Sequence, residues 1–282
     1  MMGISAMTIP RPNGRSWALK PVERRPVGRV EGGEASGNRD FLSARDVQRG
    51  LLPHSRRESE TIDCVGLYRP AQVLAGDYYD FLDVASGCTA FLVADVSGKG
   101  LPAALLMAHL QACFRVRTAG ENCSLPTVIG TVNGCFYRSS LPEYYATVFI
   151  GGYDEAAGRL HYANCGHCPP LLLRAGGELE WLHSTATVIG LFPEIACESA
   201  DAAFEPGDTL VVYSDGISEV ETNDGDCFGT ERLAETVELL GGLPVPQLAE
   251  AIMRRALDFS RGEQQDDMTL VVARVKTPSE RS

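Results

Sequence analysis

No apolar run in this 282-residue chain approaches the roughly 20 residues that a membrane-spanning helix needs. No membrane segment is therefore expected. Basic residues are also short: 25 Lys and Arg stand against 37 Asp and Glu, for a formal charge of −12. That balance excludes the basic face of a nucleic-acid binder and the polybasic anchor of a peripheral membrane protein. The opening stretch MMGISAMTIPRPNGR has no apolar core ahead of its prolines, so it does not read as a secretory signal. Cys165-Gly-His-Cys168 has the CxxC spacing, but no second such pair completes a structural zinc site. The nine cysteines are odd in number, scattered and mostly in apolar contexts, which reads as reduced cysteine in a cytoplasmic protein. Internal repeats are missing too.

What is present is an ordinary globular composition, 44% apolar and 22% charged, long enough to bury a large core. Residues 1–39 are rich in Pro, Gly and Arg and lack apolar periodicity, so they read as a disordered arm. Phe41, Leu42, Val47, Leu51 and Leu52 then fall at helical spacing before Pro53. Asp40 or Ser43 is placed to cap that helix. It is too short to stand alone in water and must pack on something. Residues 40–57 are thus a linker helix, 58–276 the main domain and 277–282 a polar tail.

Within 58–276, period-2 apolar runs predict strands at 61–68, 76–84, 88–94, 145–153, 159–164, 170–174, 179–182, 200–204, 209–213 and 268–275. Helical patterns cover 102–118, 126–137, 230–240 and 246–259. Hairpin turns are expected at Gly87, 154–158 and 175–177. Strands followed by helix pairs, with no βαβ series, imply an α+β fold. The expected architecture is a four-layer α-β-β-α sandwich of two antiparallel sheets, each flanked by a helix pair.

The chain is organised around FLVADVSGKGLPAALLMA, residues 91–108. An apolar run reaches Asp95, a Ser97-Gly98-Lys99-Gly100 turn follows, and Pro102 opens a helix. A carboxylate at the end of a buried strand must be paired, hydrogen-bonded or metal-bound. Other acids stand in like positions: Asp77 in AGDYYDF, Asp215 in LVVYSDGISE, and Asp266 and Asp267 before MTLVVARV. Singly, each is a turn former. Together, at strand ends that can share one rim, they suit a hard cation such as Mg²⁺ or Mn²⁺.

Five motifs in order, AGDYYDF, VADVSGKGLPAALLMA, YANCGHCPPLLL, GDTLVVYSDGISE and QDDMTLVV, resemble the metal-dependent protein phosphatases. The likeness is to the bacterial sporulation stage II protein E type within the phosphatase 2C-like superfamily, over about residues 45–275. It implies a centre of two Mn²⁺ or Mg²⁺ ions. Asp95 would bridge both ions, the Val96 carbonyl would also ligate, Asp77 would serve one ion, and Asp215 and Asp266 the other. A hydroxide held between the ions would attack phosphorus in line. The implied substrate is phosphoserine or phosphothreonine on a small regulatory protein, such as an anti-sigma-factor antagonist. Residues 44–53 also resemble the segment preceding such domains, a helix that in this family often links a sensor domain to the phosphatase and acts as a switch, so an activator or a homodimer contact is expected through the helix at 41–52.

Departures from the pattern matter. Ser97 replaces a histidine that eukaryotic relatives carry as a proposed general acid, and Asp267 replaces an asparagine, so Asp267 sits behind the ligands. Ser97, Gly98 and Lys99 are candidates for phosphate contact, Lys99 alternatively being a solvated turn residue. His167 is either a hydrogen-bonded structural residue or a base. Residues 223–226 read as a hairpin turn rather than a calcium loop. A catalytically silent binding module of the same fold is the alternative reading, though it need not keep all the acids.

Overall fold

The computed structural model describes residues 37–84, 88–118 and 124–281. The elements run α1 (Gly37–Leu51), β1 (Arg56–Glu58), β2 (Ile62–Arg69), β3 (Asp77–Val84), β4 (Cys88–Val96), α2 (Leu101–Thr118) and α3 (Leu125–Ser139). Then follow β5 (Ala146–Asp154), β6 (Arg159–Cys165), β7 (Leu171–Leu173), β8 (Leu179–Trp181), β9 (Ala200–Ala203) and β10 (Thr209–Tyr213). Helices α4 (Asp215–Ser218), α5 (Gly229–Leu240) and α6 (Val245–Phe259) precede β11 (Met268–Val275). One sheet has the order β1-β2-β11-β10-β7-β8 and the other β3-β4-β5-β6-β9. Every strand pairing in both is antiparallel.

Strand alternation generates the layers. In β3, Tyr79 and Phe81 face the opposite sheet, joining Phe91, Val93, Leu210 and Val271 in the central core. Tyr78 and Leu82 point the other way and pack with Met107, Leu110 and Phe114 of α2 and Ile129 and Phe136 of α3. The second sheet does the same with α5 and α6, through Val211, Tyr213, Leu233, Leu248 and Ile252. The expected α-β-β-α sandwich is the fold observed. Asp80, on the helix-facing side with Tyr78, is fully buried but doubly held. Arg115 donates to it through Nε at 2.8 Å and Nη2 at 3.1 Å, and the Tyr78 hydroxyl donates too. That carboxylate is neutralised and structural.

Most bounds shift by a residue or two, and three differences bear on the site. Helix α1 begins at Gly37, so residues 37–39 are helical. Asp40 lies in its first turn rather than at a cap, and the Ser43 hydroxyl donates to the Arg39 carbonyl. The disordered-arm reading of residues 1–36, and the turn expected at Gly87, lie outside the described residues. Strand β1 occupies part of the expected linker. Its Arg-Arg-Glu sequence has no apolar alternation, and it is held instead by pairing with β2 and by Arg56 donating to Asp63 at 3.0 Å. Strand β4 runs through Val96 rather than stopping at Ala94, which places Asp95 inside the ladder, opposite Thr147. Among the described residues no helix is long and apolar enough to cross a membrane.

Helix α1 is fastened by polar contacts at Gln48 and at its C-terminal end. Gln48 is buried, its Nε2 donates to the Ala75 carbonyl at 2.8 Å, and its Oε1 accepts from the Ala75 N–H at 3.2 Å. Gln111 of α2 adds a bond to the Leu51 carbonyl at 3.1 Å. The amide of Gln48 therefore replaces a missing strand partner for Ala75, two residues before Asp77. Phe41, Leu42 and Val47 remain exposed.

Candidate active site

Register brings the first two acids together. Asp77, the first residue of β3, is the cross-strand partner of Asp95 in β4. Both lie on the face that carries Tyr79, Phe81, Phe91 and Val93, so both are directed between the sheets. Like charges directly opposite in an antiparallel pair destabilise it. Asp77 is 1% exposed and its Oδ2 has no hydrogen-bond partner. Across from it, the buried Thr269 hydroxyl of β11 is also unpartnered. Burial, and then the Asp95 charge, push the Asp77 carboxyl well above the usual carboxylate range. Burial, and then Asp215, Asp266 and Asp267, push Asp95 up to about 7. Acids from both sheets therefore share one field.

The facing sheet supplies the rest from one locked turn. β10 is buried throughout and runs into Ser214, with Asp215 opening α4. The Ser214 hydroxyl donates to the Asp267 carbonyl at 3.2 Å and accepts from the Thr269 N–H at 2.9 Å. Its own N–H donates to the Thr269 carbonyl at 3.0 Å. Gly216 sits so close to β11 that a Cβ would overlap the Asp267 carbonyl oxygen, with the Asp267 carbonyl carbon 2.9 Å away. Backbone on both sides leaves no flexible side chain to yield. Gly216→Ala is expected to lose at least ~3 kcal/mol of stability, the range of severe core overpacking, and to separate Asp215 from Asp266. A denaturant melt beside an activity assay checks both parts. Asp215 is itself pushed upward by burial, then by Asp266 and Glu219.

Asp266 and Asp267 are adjacent but differently used. Asp267 accepts from the Ala71 N–H at 2.8 Å and the Gly76 N–H at 2.9 Å, so its two oxygens hold the loop that leads into Asp77. Asp266 is 43% exposed and its Oδ2 pairs with Lys99 Nζ at 2.7 Å. Lys99 also donates to the Gln265 carbonyl at 3.0 Å. It is neither a free solvated lysine nor aimed at open space: it ties the Gly-rich turn after β4 to the entry of β11. Ser97 is engaged as well, its Oγ accepting from the Tyr145 N–H at 3.0 Å and its N–H donating to the Tyr145 carbonyl at 2.9 Å. Gly98 and Gly100 have φ of 91° and 71°, the left-handed region that side chains avoid.

The residues fit a hard divalent cation. Every candidate donor is oxygen, and a cation would satisfy the unpartnered Asp77 Oδ2 and offset the mutual repulsion of the acids. A Cβ at Gly76 would lie 2.7 Å from the Val96 carbonyl oxygen, so glycine keeps the neighbourhood of that oxygen clear. Among the described residues, no three His, Cys, Asp or Glu side chains are close enough together to grip an ion as they stand. The acids share a field without forming a finished cage.

Other sequence candidates resolve as scaffold. His167 is buried, its Nδ1 bonds Thr147 Oγ1 at 2.8 Å, and its N–H donates to Asn164 Oδ1 at 2.8 Å. Burial lowers its pKa to about 4, so it is neutral and orients the strand partner of Asp95 rather than acting as a base. The 222–226 segment is a turn closed by the Thr222 N–H donating to the Asp226 carbonyl at 2.9 Å. Gln48, Ser214 and Thr269 were not legible as site neighbours, because only the facing sheet and α1 give them their partners.

Residues 85–276 match the family model of stage II sporulation protein E (SpoIIE). Among curated proteins, the chain is 26% identical over 235 residues to phosphoserine phosphatase RsbU of Bacillus subtilis, covering 83% of this chain and 69% of that one. It is 27% identical over 228 residues to protein IcfG of Synechocystis sp., covering 70% of this chain but 35% of IcfG, so it spans about a third of that relative's length. Among solved structures, the SiaA-PP2C domain of Pseudomonas aeruginosa superimposes with a TM-score of 0.72 at 21% identity, covering 84% of this chain and 96% of that domain. RsbX, solved in complex with magnesium, gives a TM-score of 0.60 at 17% identity, covering 78% and 98%. A sandwich of this topology, acids from both sheets at one end, and a family model matched over most of the chain agree: the protein belongs to the stage II sporulation protein E (SpoIIE) family.

Proposed function

We propose that the chain is a metal-dependent phosphoprotein phosphatase that hydrolyses phosphoserine or phosphothreonine on a small regulatory protein. The observation that carries this is the shared field of Asp77 and Asp95 from one sheet with Asp215 and Asp266 from the other, burial and neighbouring acids raising the pKa of Asp77, Asp95 and Asp215. Asp95 would contact two Mn²⁺ or Mg²⁺ ions, with Asp77 and the Val96 carbonyl helping to hold one and Asp215 and Asp266 the other. Bound divalent cations supply positive charge for the phosphate oxygens and lower the pKa of coordinated water. Asp267 positions the loop before Asp77 from behind. Lys99 holds Asp266 and, once that acid is neutralised, has a half-exposed ammonium to offer a phosphate oxygen. Neutral His167 leaves the site without a histidine acid, and Ser97 is spent on the backbone. A substrate seryl group has a high-pKa leaving oxygen, so its proton must come from water. Phosphate release from a serine-phosphorylated anti-sigma-factor antagonist should appear with Mn²⁺ and vanish with chelator. Metal binding with no turnover on any phosphoprotein would instead identify a silent module.

Helix α1 is the proposed regulatory input, through an activator or a second copy. Its route to the site is short: Gln48 brackets the Ala75 peptide, and the next N–H, that of Gly76, is held by Asp267. Gln48→Ala leaves a buried N–H and C=O unpaired at Ala75, a cost of about 1–3 kcal/mol. The expected result is a fall in Mn²⁺ affinity of about tenfold or more with the fold retained, read by calorimetric titration and circular dichroism. Unchanged affinity would disconnect α1 from the site.

A further inference from the structure

Four large apolar side chains stand exposed on two segments that adjoin the turn after β4: Leu141 and Tyr145 before β5, and Leu191 and Phe192 in the loop between β8 and β9. They are continuous with the catalytic turn. The Ser97 and Tyr145 backbones are bonded, and a Cβ at Gly98 would meet the Tyr144 ring at 3.4 Å. Ala146 and Ile189 exchange both backbone bonds at 2.8 Å, which fixes Leu191 and Phe192 beside the 141–145 segment. The loop is also built rather than loose. Asn133, 1% exposed in α3, donates to the Phe192 carbonyl at 3.1 Å and the Pro193 carbonyl at 3.3 Å, and accepts from the Gly190 N–H at 2.9 Å. Gly190 has φ of 96°, and a Cβ there would strike the Phe136 ring at 2.5 Å. A buried amide is thus committed to holding two apolar residues out in water.

We propose that Leu141, Tyr145, Leu191 and Phe192 form the surface on which the phosphorylated protein docks, by an apolar patch of its own beside the phosphoserine. This rests on the phosphatase reading and names the kind of partner it takes. The argument for that occupant is electrostatic as well as positional. The rim is acidic on a chain of formal charge −12, and Lys99, the cation of the catalytic turn, is committed to Asp266. Ionic contacts therefore do little to hold a phosphoprotein here before its phosphate is engaged. Burial of apolar surface is indifferent to that charge and supplies binding where ion pairing does not. A protein seated on this patch has its phosphate next to Ser97 and Gly98, because the patch and the turn share backbone bonds.

The test is the double variant Leu191→Ser, Phe192→Ser in the full chain with Mn²⁺. Two substrates are compared, p-nitrophenyl phosphate and a serine-phosphorylated anti-sigma-factor antagonist. Expected is a tenfold or greater fall in kcat/KM on the protein, carried by KM, with p-nitrophenyl phosphate hydrolysis within twofold of the parent. Asn133→Ala should shift protein KM the same way by unseating the loop. Equal losses on both substrates, or an unchanged protein KM, would overturn the proposal. So would loss of self-association in the double variant with protein KM intact, which would make a second copy the occupant. Binding of the phosphoprotein to metal-free chain, followed by calorimetry, separates this from the phosphatase reading. If the parent turns over neither substrate, that reading fails, yet a tenfold weaker Kd in the double variant still supports docking and an unchanged Kd refutes it.

Discussion

Asp95→Asn is expected to abolish Mn²⁺-dependent phosphate release and, at the same time, to raise the melting temperature of the metal-free protein. The two effects have one cause. Asp95 faces Asp77 across the ladder, and Asp215, Asp266 and Asp267 add to its field. Its carboxyl is displaced upward from the ordinary aspartate range to about 7. A carboxylate with a raised folded pKa destabilises the fold wherever it must be ionised. Stability is full below the unfolded value and is lost as pH rises through the folded one. At pH 8 the penalty is on the order of a few kcal/mol, at ~1.4 kcal/mol per pH unit. Asparagine removes the charge and keeps the shape, so a gain of several degrees is expected at pH 8 and little at pH 4. Activity moves the other way. Losing even a residue that supports a metal ligand costs roughly 10–100-fold, and losing a ligand placed between two ions should cost more than ~10³. An ordinary turn-forming aspartate would show the opposite pair of results: lower stability and unchanged turnover. Differential scanning fluorimetry at the two pH values beside a phosphate-release assay distinguishes them.

The acids were legible because each stands where a largely apolar strand meets a turn, where a lone charge has no cheap solution. The layer order was legible too, since runs of strands followed by helix pairs, with no βαβ series, imply antiparallel sheets with helices on their outer faces, and Tyr78 and Tyr79 do face the helices and the opposite sheet respectively. What stayed hidden depended on partners distant in sequence. Lys99 reads as a solvated turn residue until Asp266, from the opposite end of the chain, arrives beside it. Asp266 and Asp267 are chemically identical in sequence, and only the N–H groups of Ala71 and Gly76 separate the scaffold acid from the more exposed one that pairs with Lys99. The start of α1 was misplaced because Gly37 and Asn38 are poor helix formers, and packing through Gln48 outweighs that weak local preference. β1 and α4 are three and four residues long, shorter than any periodicity can register.

Stabilisation by Mn²⁺ should depend on pH in the sense opposite to the stability of the metal-free chain. Asp77, Asp95 and Asp215 are all raised by burial first and by neighbouring acids second. Between the unfolded carboxylate value and about 7, the folded protein therefore holds more protons than the unfolded one, and metal-free stability falls as pH rises. Those same protons occupy the oxygens a cation needs, so metal and proton compete. Near pH 5 the competition favours protons and added Mn²⁺ should shift the melting temperature little. Near pH 8 the acids are ionised, repulsion is greatest, and binding both offsets that repulsion and adds linkage stabilisation. At a thousandfold excess over Kd the linkage alone is worth ~4.1 kcal/mol. In a domain of this size that corresponds to a rise of roughly 8–16 °C. Lys99→Ala removes the cation already paired with Asp266 and should enlarge the Mn²⁺ shift at pH 8, because one neutralising charge is no longer there before the metal arrives. A Mn²⁺ shift that is the same at pH 5 and pH 8 would mean that the ion binds somewhere other than these four carboxylates.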